Sequence, residues 1–190
     1  NIGLINEIYL VCKKLKLDFN NVIDLASTKW NFLRFSPGLV GGHCLPVDPY
    51  YFAHISKKNN FETKITLAGR SINDSMAKTI KNEIICEIRK NNINKKKKIL
   101  VCGLSYKKDV ADLRNSLSLK IYNDLKKKYK EVKGYDPLID SSYKKKYNLI
   151  NSKNEFLKFD IYVLLTNHSI IKKNLKSLPK NKTIINLLGN

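Results

Sequence analysis

Residues 38–51 read Gly-Leu-Val-Gly-Gly-His-Cys-Leu-Pro-Val-Asp-Pro-Tyr-Tyr. Cys44 follows two glycines, with Pro46, Asp48 and Pro49 just beyond it. Glycines let a backbone and a ligand approach closely, and prolines fix the turns around them. A cysteine framed this way is presented rather than packed away. Its chemistry would be nucleophilic, a thiolate attacking an electrophilic carbon and holding it covalently. A thiol is mostly protonated at neutral pH and needs help from a helix N-terminus, from His43 or from a cation elsewhere. Asp48 cannot give that help, because its own charge opposes a second negative charge beside it. Its role would be to orient a water or a partner base. By residue type alone Cys44 is either a nucleophile or a structural thiol, and the Gly-Gly-His-Cys setting favours the nucleophile.

A second cluster is Lys107-Lys-Asp-Val-Ala-Asp-Leu-Arg-Asn-Ser116, just after the apolar run Ile99-Leu-Val-Cys-Gly103. If that run is a first strand, the cluster lies at its carboxyl end, where open α/β sheets bind ligands. Lys107 and Arg114 could hold a phosphate or a carboxylate there. The alternative is a solvated loop with internal ion pairs. A dinucleotide fingerprint would need G-x-G-x-x-G at this turn, and only Gly103 is present.

The elements that position these residues follow from apolar spacing. Ile5, Ile8, Tyr9, Val11, Cys12 and Leu15 predict a helix over 2–16, and Asp18 or Asn20 can cap a second through Ala26. Residues 28–51 hold three prolines and three glycines and predict one long loop. From Phe61 to Lys90, Ile65, Ala68, Ile72, Met76, Ile80, Ile84 and Ile88 predict a helix roughly 40 Å long. It suits a connector between two domains and a dimer seam. Residues 91–98 are polar and mark a boundary. Beyond it, strands at 99–103, 132–135, 161–166 and 183–188 alternate with helices at 116–129 and 170–178. That alternation predicts a parallel sheet.

Composition bounds the rest. The 190 residues are 43% hydrophobic and allow one large or two small domains. No apolar run reaches a membrane span. The net charge of +20 suggests a nucleic-acid binder, but only four of the 36 basic residues are Arg. Base readout and phosphate clamping favour Arg, so no specific nucleic-acid partner is expected. The four cysteines show no metal spacing, and no metal site is expected. Cys12, Cys86 and Cys102 read as small buried hydrophobes in a reduced, cytoplasmic compartment. The chain opens at Asn1 within an apolar-periodic stretch, as a fragment of a longer protein would.

Three ordered segments carry a specific likeness: Pro37–Tyr51, Ala68-Gly-Arg-Ser-Ile-Asn-Asp74 and Gly103–Ser116. Together they resemble the central and C-terminal parts of the UDP-glucose/GDP-mannose dehydrogenase family. The resemblance covers nearly the whole chain. It implies an α/β protein: a helical central domain over 1–94 with a long connecting helix, then a Rossmann-like parallel-sheet domain over 95–190 that binds the UDP-sugar. It implies NAD-dependent oxidation of the C6 hydroxymethyl of a nucleotide sugar to a carboxylate, with NAD held mainly by a domain outside this chain. Matched by motif, Cys44 is the nucleophile that forms a thiohemiacetal and then a thioester, and Asp48 assists water or the family's lysine. Phe35, Ser36, Pro37, Gly38, Leu39, Val40 and Gly41 match the loop around the sugar nucleotide, and Tyr106 and Lys107 match its other contact. Leu45, Pro46 and Val47 match the approach to the nicotinamide, and Arg114 an arginine near the cofactor.

The likeness also departs from the family in places. The family's catalytic Lys and Asn fall just before Asn1. Asn186-Leu-Leu-Gly189 lacks an arginine that some members carry, and Ser105 and Tyr106 replace a small residue and Phe. His43 and Val47-Asp-Pro-Tyr-Tyr51 look like the branch that oxidises UDP-N-acetylhexosamines. The family likeness implies a homodimer through the long helix. Alternatives are a UDP-glucose 6-dehydrogenase and a non-catalytic nucleotide-sugar-binding or dimerisation module.

Overall fold

A computed structural model describes residues 1–90 and 97–188. The chain divides into two compact units, Asn1–Val40 with Cys44–Met76, and Gly41–His43 with Ala77–Asn190. The sequence put the boundary at 94/95. That boundary falls within residues 91–96, which lie outside the described residues, and the division into compact units falls inside the long helix.

The first unit is helical. Helix α1 (Ile2–Lys14) buries Gly3, Ile5, Asn6, Tyr9 and Cys12. Helix α2 (Phe19–Ala26) is capped by Asp18, whose carboxylate accepts the Asn20 N–H at 2.8 Å. Tyr9 meets Phe19 edge to face at 5.7 Å and joins the two helices. An irregular stretch follows, but it is shorter than the expected loop through Tyr51. It ends at Val47, and Asp48 opens helix α3 (Asp48–Lys58). Pro49 in the first turn lacks only a donor that would have no helical partner there. Helix α4 (Lys64–Lys90) begins three residues later than its apolar pattern suggested.

Along α4, Met76, Ile80, Ile84 and Ile88 are buried as their spacing requires, whereas Ile65 is 91% exposed. Cys12 and Cys102 are buried, but Cys86 is exposed. The buried face of α4 carries Ile80, Ile84 and Ile88, and position 86, two residues from both Ile84 and Ile88, is turned about 160° away from them.

The second unit is built on a parallel sheet of β1 (Ile99–Cys102), β2 (Val132–Tyr135), β3 (Ile161–Leu164) and β4 (Thr183–Ile185). Their spatial order is β2-β1-β3-β4. The central strands β1 and β3 are buried along their whole length, which explains their unbroken apolar runs. Helices α5 (Leu117–Lys128) and α8 (Ser169–Lys176) match the expected ones, while α6 (Ser141–Tyr147) and α7 (Lys153–Phe156) were not expected. One core cluster packs Leu100, Cys102, Tyr162 and Leu164 against Tyr135, Phe156 and Ile171. The strand order reverses between β1 and β3. The loops after these two strands therefore flank the switch point, where α/β sheets bind ligands.

Candidate functional site

Cys44 is exposed in the turn that leads into α3. Its carbonyl accepts the Val47 N–H at 2.9 Å and the Asp48 N–H at 2.8 Å. Asp48 is exposed in the first turn of α3, where a carboxylate suits the helix dipole. Leu45 is exposed, and Pro46 and Val47 are half-buried. Five expected site residues, Cys44–Asp48, thus share one turn.

Arg70 of α4 supports this turn. Its Nη1 donates to the Leu45 carbonyl at 3.3 Å, and its Nη2 donates to the Asp74 carboxylate. The Tyr50 hydroxyl donates to the same carboxylate at 2.7 Å, and the guanidinium lies 5.8 Å from the centre of the Tyr50 ring. That hydrogen bond to Asp74 raises the Tyr50 pKa above its ordinary value.

The stretch Phe35–Val40 is held by a different group. Asn6 accepts the Gly38 N–H at 2.8 Å and donates to the Gly38 carbonyl at 3.0 Å. The same carboxamide donates to Asn73 of α4 at 2.9 Å. A Cβ on Gly3 would lie 2.8 Å from the Gly69 Cα and carbonyl oxygen. Only glycine lets α1 and α4 approach closely enough for Asn6, one turn further along, to reach Asn73. Along this stretch Pro37 and Val40 are buried, Phe35, Gly38 and Leu39 are half-buried, and Ser36 is exposed.

In the second unit, Gly41 and Gly42 pack on Tyr106. A Cβ on Gly41 would stand 2.6 Å from the Tyr106 Cβ and 2.9 Å from the Asn115 carbonyl. Gly42 adopts φ +90, donates to the Arg114 carbonyl at 2.9 Å and accepts from the Asn115 side chain at 2.9 Å. Gly41 and Tyr106, predicted separately, are therefore neighbours. Lys107 is exposed. The Arg114 guanidinium forks onto Asp112, with Nη2–Oδ2 at 2.6 Å, and this holds the Asp112 carboxyl below its usual range. Arg114 thus takes part in the internal ion pair that was the alternative reading of this loop.

A buried acid fixes the loop that carries Tyr106 and Lys107. Asp136, at the end of β2, accepts the N–H groups of Leu104 and Ser105 and the Ser105 hydroxyl, each at 2.9 Å. His168 Nδ1 accepts the Asp109 N–H at 2.8 Å, which leaves Nε2 to donate to Asp136 at 3.2 Å. Burial pushes the Asp136 pKa upward, but His168 and the two backbone donors outweigh it and hold the pKa below the usual range. The Asp109 carboxylate caps α8 by accepting the Ser169 N–H at 2.8 Å and hydroxyl at 2.7 Å. Asn6, Arg70, Asn73, Asn115, Asp136 and His168 had been given no role from the sequence. Among the described residues no group of three or more His, Cys, Asp or Glu could hold a metal ion. No described helix is long and apolar enough to cross a membrane.

The first unit is a helical scaffold that presents a cysteine, and the second is a Rossmann-like α/β sheet whose loops are braced at the switch point. The chain belongs to the UDP-glucose/GDP-mannose dehydrogenase family. The family's central domain matches residues 1–75 and its UDP-binding domain residues 100–188. Protein CapL of Staphylococcus aureus is 38% identical over 93% of this chain, which spans 42% of that protein. A UDP-N-acetyl-D-glucosamine 6-dehydrogenase of Salmonella typhi is 32% identical over 97% of this chain and is spanned to 45%. The solved structure of the UDP-N-acetyl-mannosamine dehydrogenase Cap5O from S. aureus superposes with a TM-score of 0.76 at 27% identity. That comparison covers 98% of this chain and 47% of the other. The chain thus spans less than half the length of these relatives.

Proposed function

We propose that this chain is the cysteine-bearing and sugar-nucleotide-binding part of an NAD-dependent UDP-sugar 6-dehydrogenase acting on a UDP-N-acetylhexosamine. The observation that carries this reading is Cys44, exposed on a turn closed by two hydrogen bonds to its own carbonyl and braced by Arg70. The activities for which relatives are named, a UDP-N-acetyl-D-glucosamine 6-dehydrogenase and a UDP-N-acetyl-mannosamine dehydrogenase among them, support the acetylhexosamine. Phe35–Gly41 would wrap the sugar nucleotide, and Tyr106 and Lys107 would contact it. When bound, NAD supplies the hydride acceptor. Leu45, which is exposed, and Pro46 and Val47, which are half-buried, would approach the nicotinamide, and Arg114 would lie near the cofactor.

The chemistry on this chain's residues begins after the C6 alcohol has lost a hydride and a proton to become an aldehyde. The Cys44 sulfur adds to that carbonyl carbon, and the proton passes to oxygen. The thiohemiacetal loses a second hydride from C6 together with its hydroxyl proton, leaving a thioester. Water oriented by Asp48 attacks the thioester. The C–S bond breaks, releasing the carboxylate and restoring the thiol. This divides one hard oxidation into easier steps.

The test uses the full-length protein with NAD and UDP-GlcNAc, UDP-ManNAc, UDP-GalNAc or UDP-glucose. Two NADH per sugar are expected from an acetylhexosamine, with UDP-glucose poorer. Cys44→Ser and Cys44→Ala should abolish acid formation. Acid formed at near wild-type rate by either variant would sink the assignment. By itself the chain should bind UDP and produce no NADH. We also propose a cytoplasmic homodimer through α4, whose Ile65 and Leu67 are exposed. Light scattering of Ile65→Lys should then show a shift toward monomer.

A further inference from the structure

Arg70 is buried, with only 4% of its surface exposed, while its ion-pair partner Asp74 keeps 46% of its side chain in solvent. A surface i,i+4 pair would leave both groups wet and contribute little. Here the guanidinium has been withdrawn from water, and its Nε has no hydrogen-bond partner among the described residues. Leaving a buried donor unsatisfied is costly. The three contacts that keep the group in place are the Leu45 carbonyl, the Asp74 carboxylate and the face of Tyr50. Leu45 follows Cys44 directly, and Tyr50 lies in the first turn of α3. The group therefore clips both ends of the cysteine turn to α4.

We propose that Arg70 is a positioning residue that sets the Cys44 turn, with Asp74 and Tyr50 as its second arm. The consequence for catalysis rests on reading Cys44 as the nucleophile; the consequence for the turn does not. Reaction rates respond steeply to small misplacements of a reacting group. Loss of the clip should thus affect chemistry more than substrate binding.

The experiment compares full-length wild type, Arg70→Gln, Arg70→Lys and Tyr50→Phe by hydrogen exchange and by steady-state kinetics. In Arg70→Gln the Val47 and Asp48 amides, which close the turn on the Cys44 carbonyl, should exchange about tenfold faster while α1 amides do not change. Its kcat should fall at least about tenfold, with KM for the UDP-sugar within about threefold. Arg70→Lys can still reach the Leu45 carbonyl and should recover part of both effects. Tyr50→Phe keeps Arg70 and should give a smaller change of the same kind, which preserves the test if Arg70→Gln does not fold. Unchanged exchange in the turn, or an equal rise in α1, would overturn the proposal. So would a raised KM at unaltered kcat. If wild type turns over no UDP-sugar, the proposed function fails, and the exchange comparison still decides the role of Arg70.

Discussion

Asn6 has no chemistry to offer a substrate, yet its carboxamide makes three hydrogen bonds, two to Gly38 and one to Asn73. Asn6→Ala would leave a backbone donor, a backbone acceptor and the Asn73 carbonyl without their partner. Unsatisfied buried groups cost about 1–3 kcal/mol each, less where water reaches them, so a loss of about 2–3 kcal/mol is expected in urea unfolding. Asn6→Asp keeps the acceptor for the Gly38 N–H but turns an oxygen toward two other oxygens. It should be no milder than the alanine at neutral pH, and a mild aspartate variant would contradict the clamp. Asn6 was legible in principle. It lies on the stripe Gly3, Asn6, Tyr9, Cys12, all of which are buried, and a lone carboxamide on such a stripe asks for a partner. Its partners are 32 and 67 residues away, and no local pattern names them. Arg70 stood inside a recognisable motif, but its contact with Leu45 depends on how α4 and the cysteine turn pack. Sequence spacing does not give that.

Regularity of burial decided which elements could be read. Strands β1 and β3 are buried on both faces, and α4 has a long apolar stripe, so each was plain in the sequence. Helix α3 buries none of its residues, so there was no apolar face to find. Its only signal was Asp48-Pro49, an acid and a proline at a helix start. Helices α6 and α7 have seven and four residues, too few for periodicity to show. Two substitutions probe how elements are joined. Gly3→Ala would push a methyl group to 2.8 Å from the Gly69 backbone. Helix α1 would have to move, at a cost of about 1–3 kcal/mol, and Gly38 should then show faster amide exchange. Ser116 caps α5 by accepting the Leu119 N–H at 3.2 Å, and it donates to the Leu104 carbonyl at 2.5 Å. Ser116→Ala should cost about 1 kcal/mol or somewhat more, read as a lower unfolding midpoint. An unchanged midpoint would show that the cap does not matter.

Over the whole molecule, response to acid can be predicted from one buried carboxylate. The pKa of Asp136 is depressed in the folded state. Its stabilising contribution is therefore complete above the unfolded-chain value of about 3.9, and it is lost as pH falls through the lower folded value. Asp136→Asn has no such titration. The stability gap between wild type and this variant, measured by urea unfolding, should be wide at pH 6 and narrow below about pH 4. A gap independent of pH would mean that Asp136 is not ionised in the fold. The net charge is +20, yet the clamp on Gly38 is made of uncharged groups, the carboxamides of Asn6 and Asn73. The Gly3–Gly69 crossing and the Asn6–Asn73 bond act together as a key in a notch. One residue inserted between Gly69 and Asn73 would rotate that asparagine by about 100° around α4 and release Gly38. Chain length between these pairs is therefore under a stricter constraint than the identity of the residues in between. Insertions and deletions should be absent from 3–6 and 69–73, even in relatives whose sequences there have otherwise diverged.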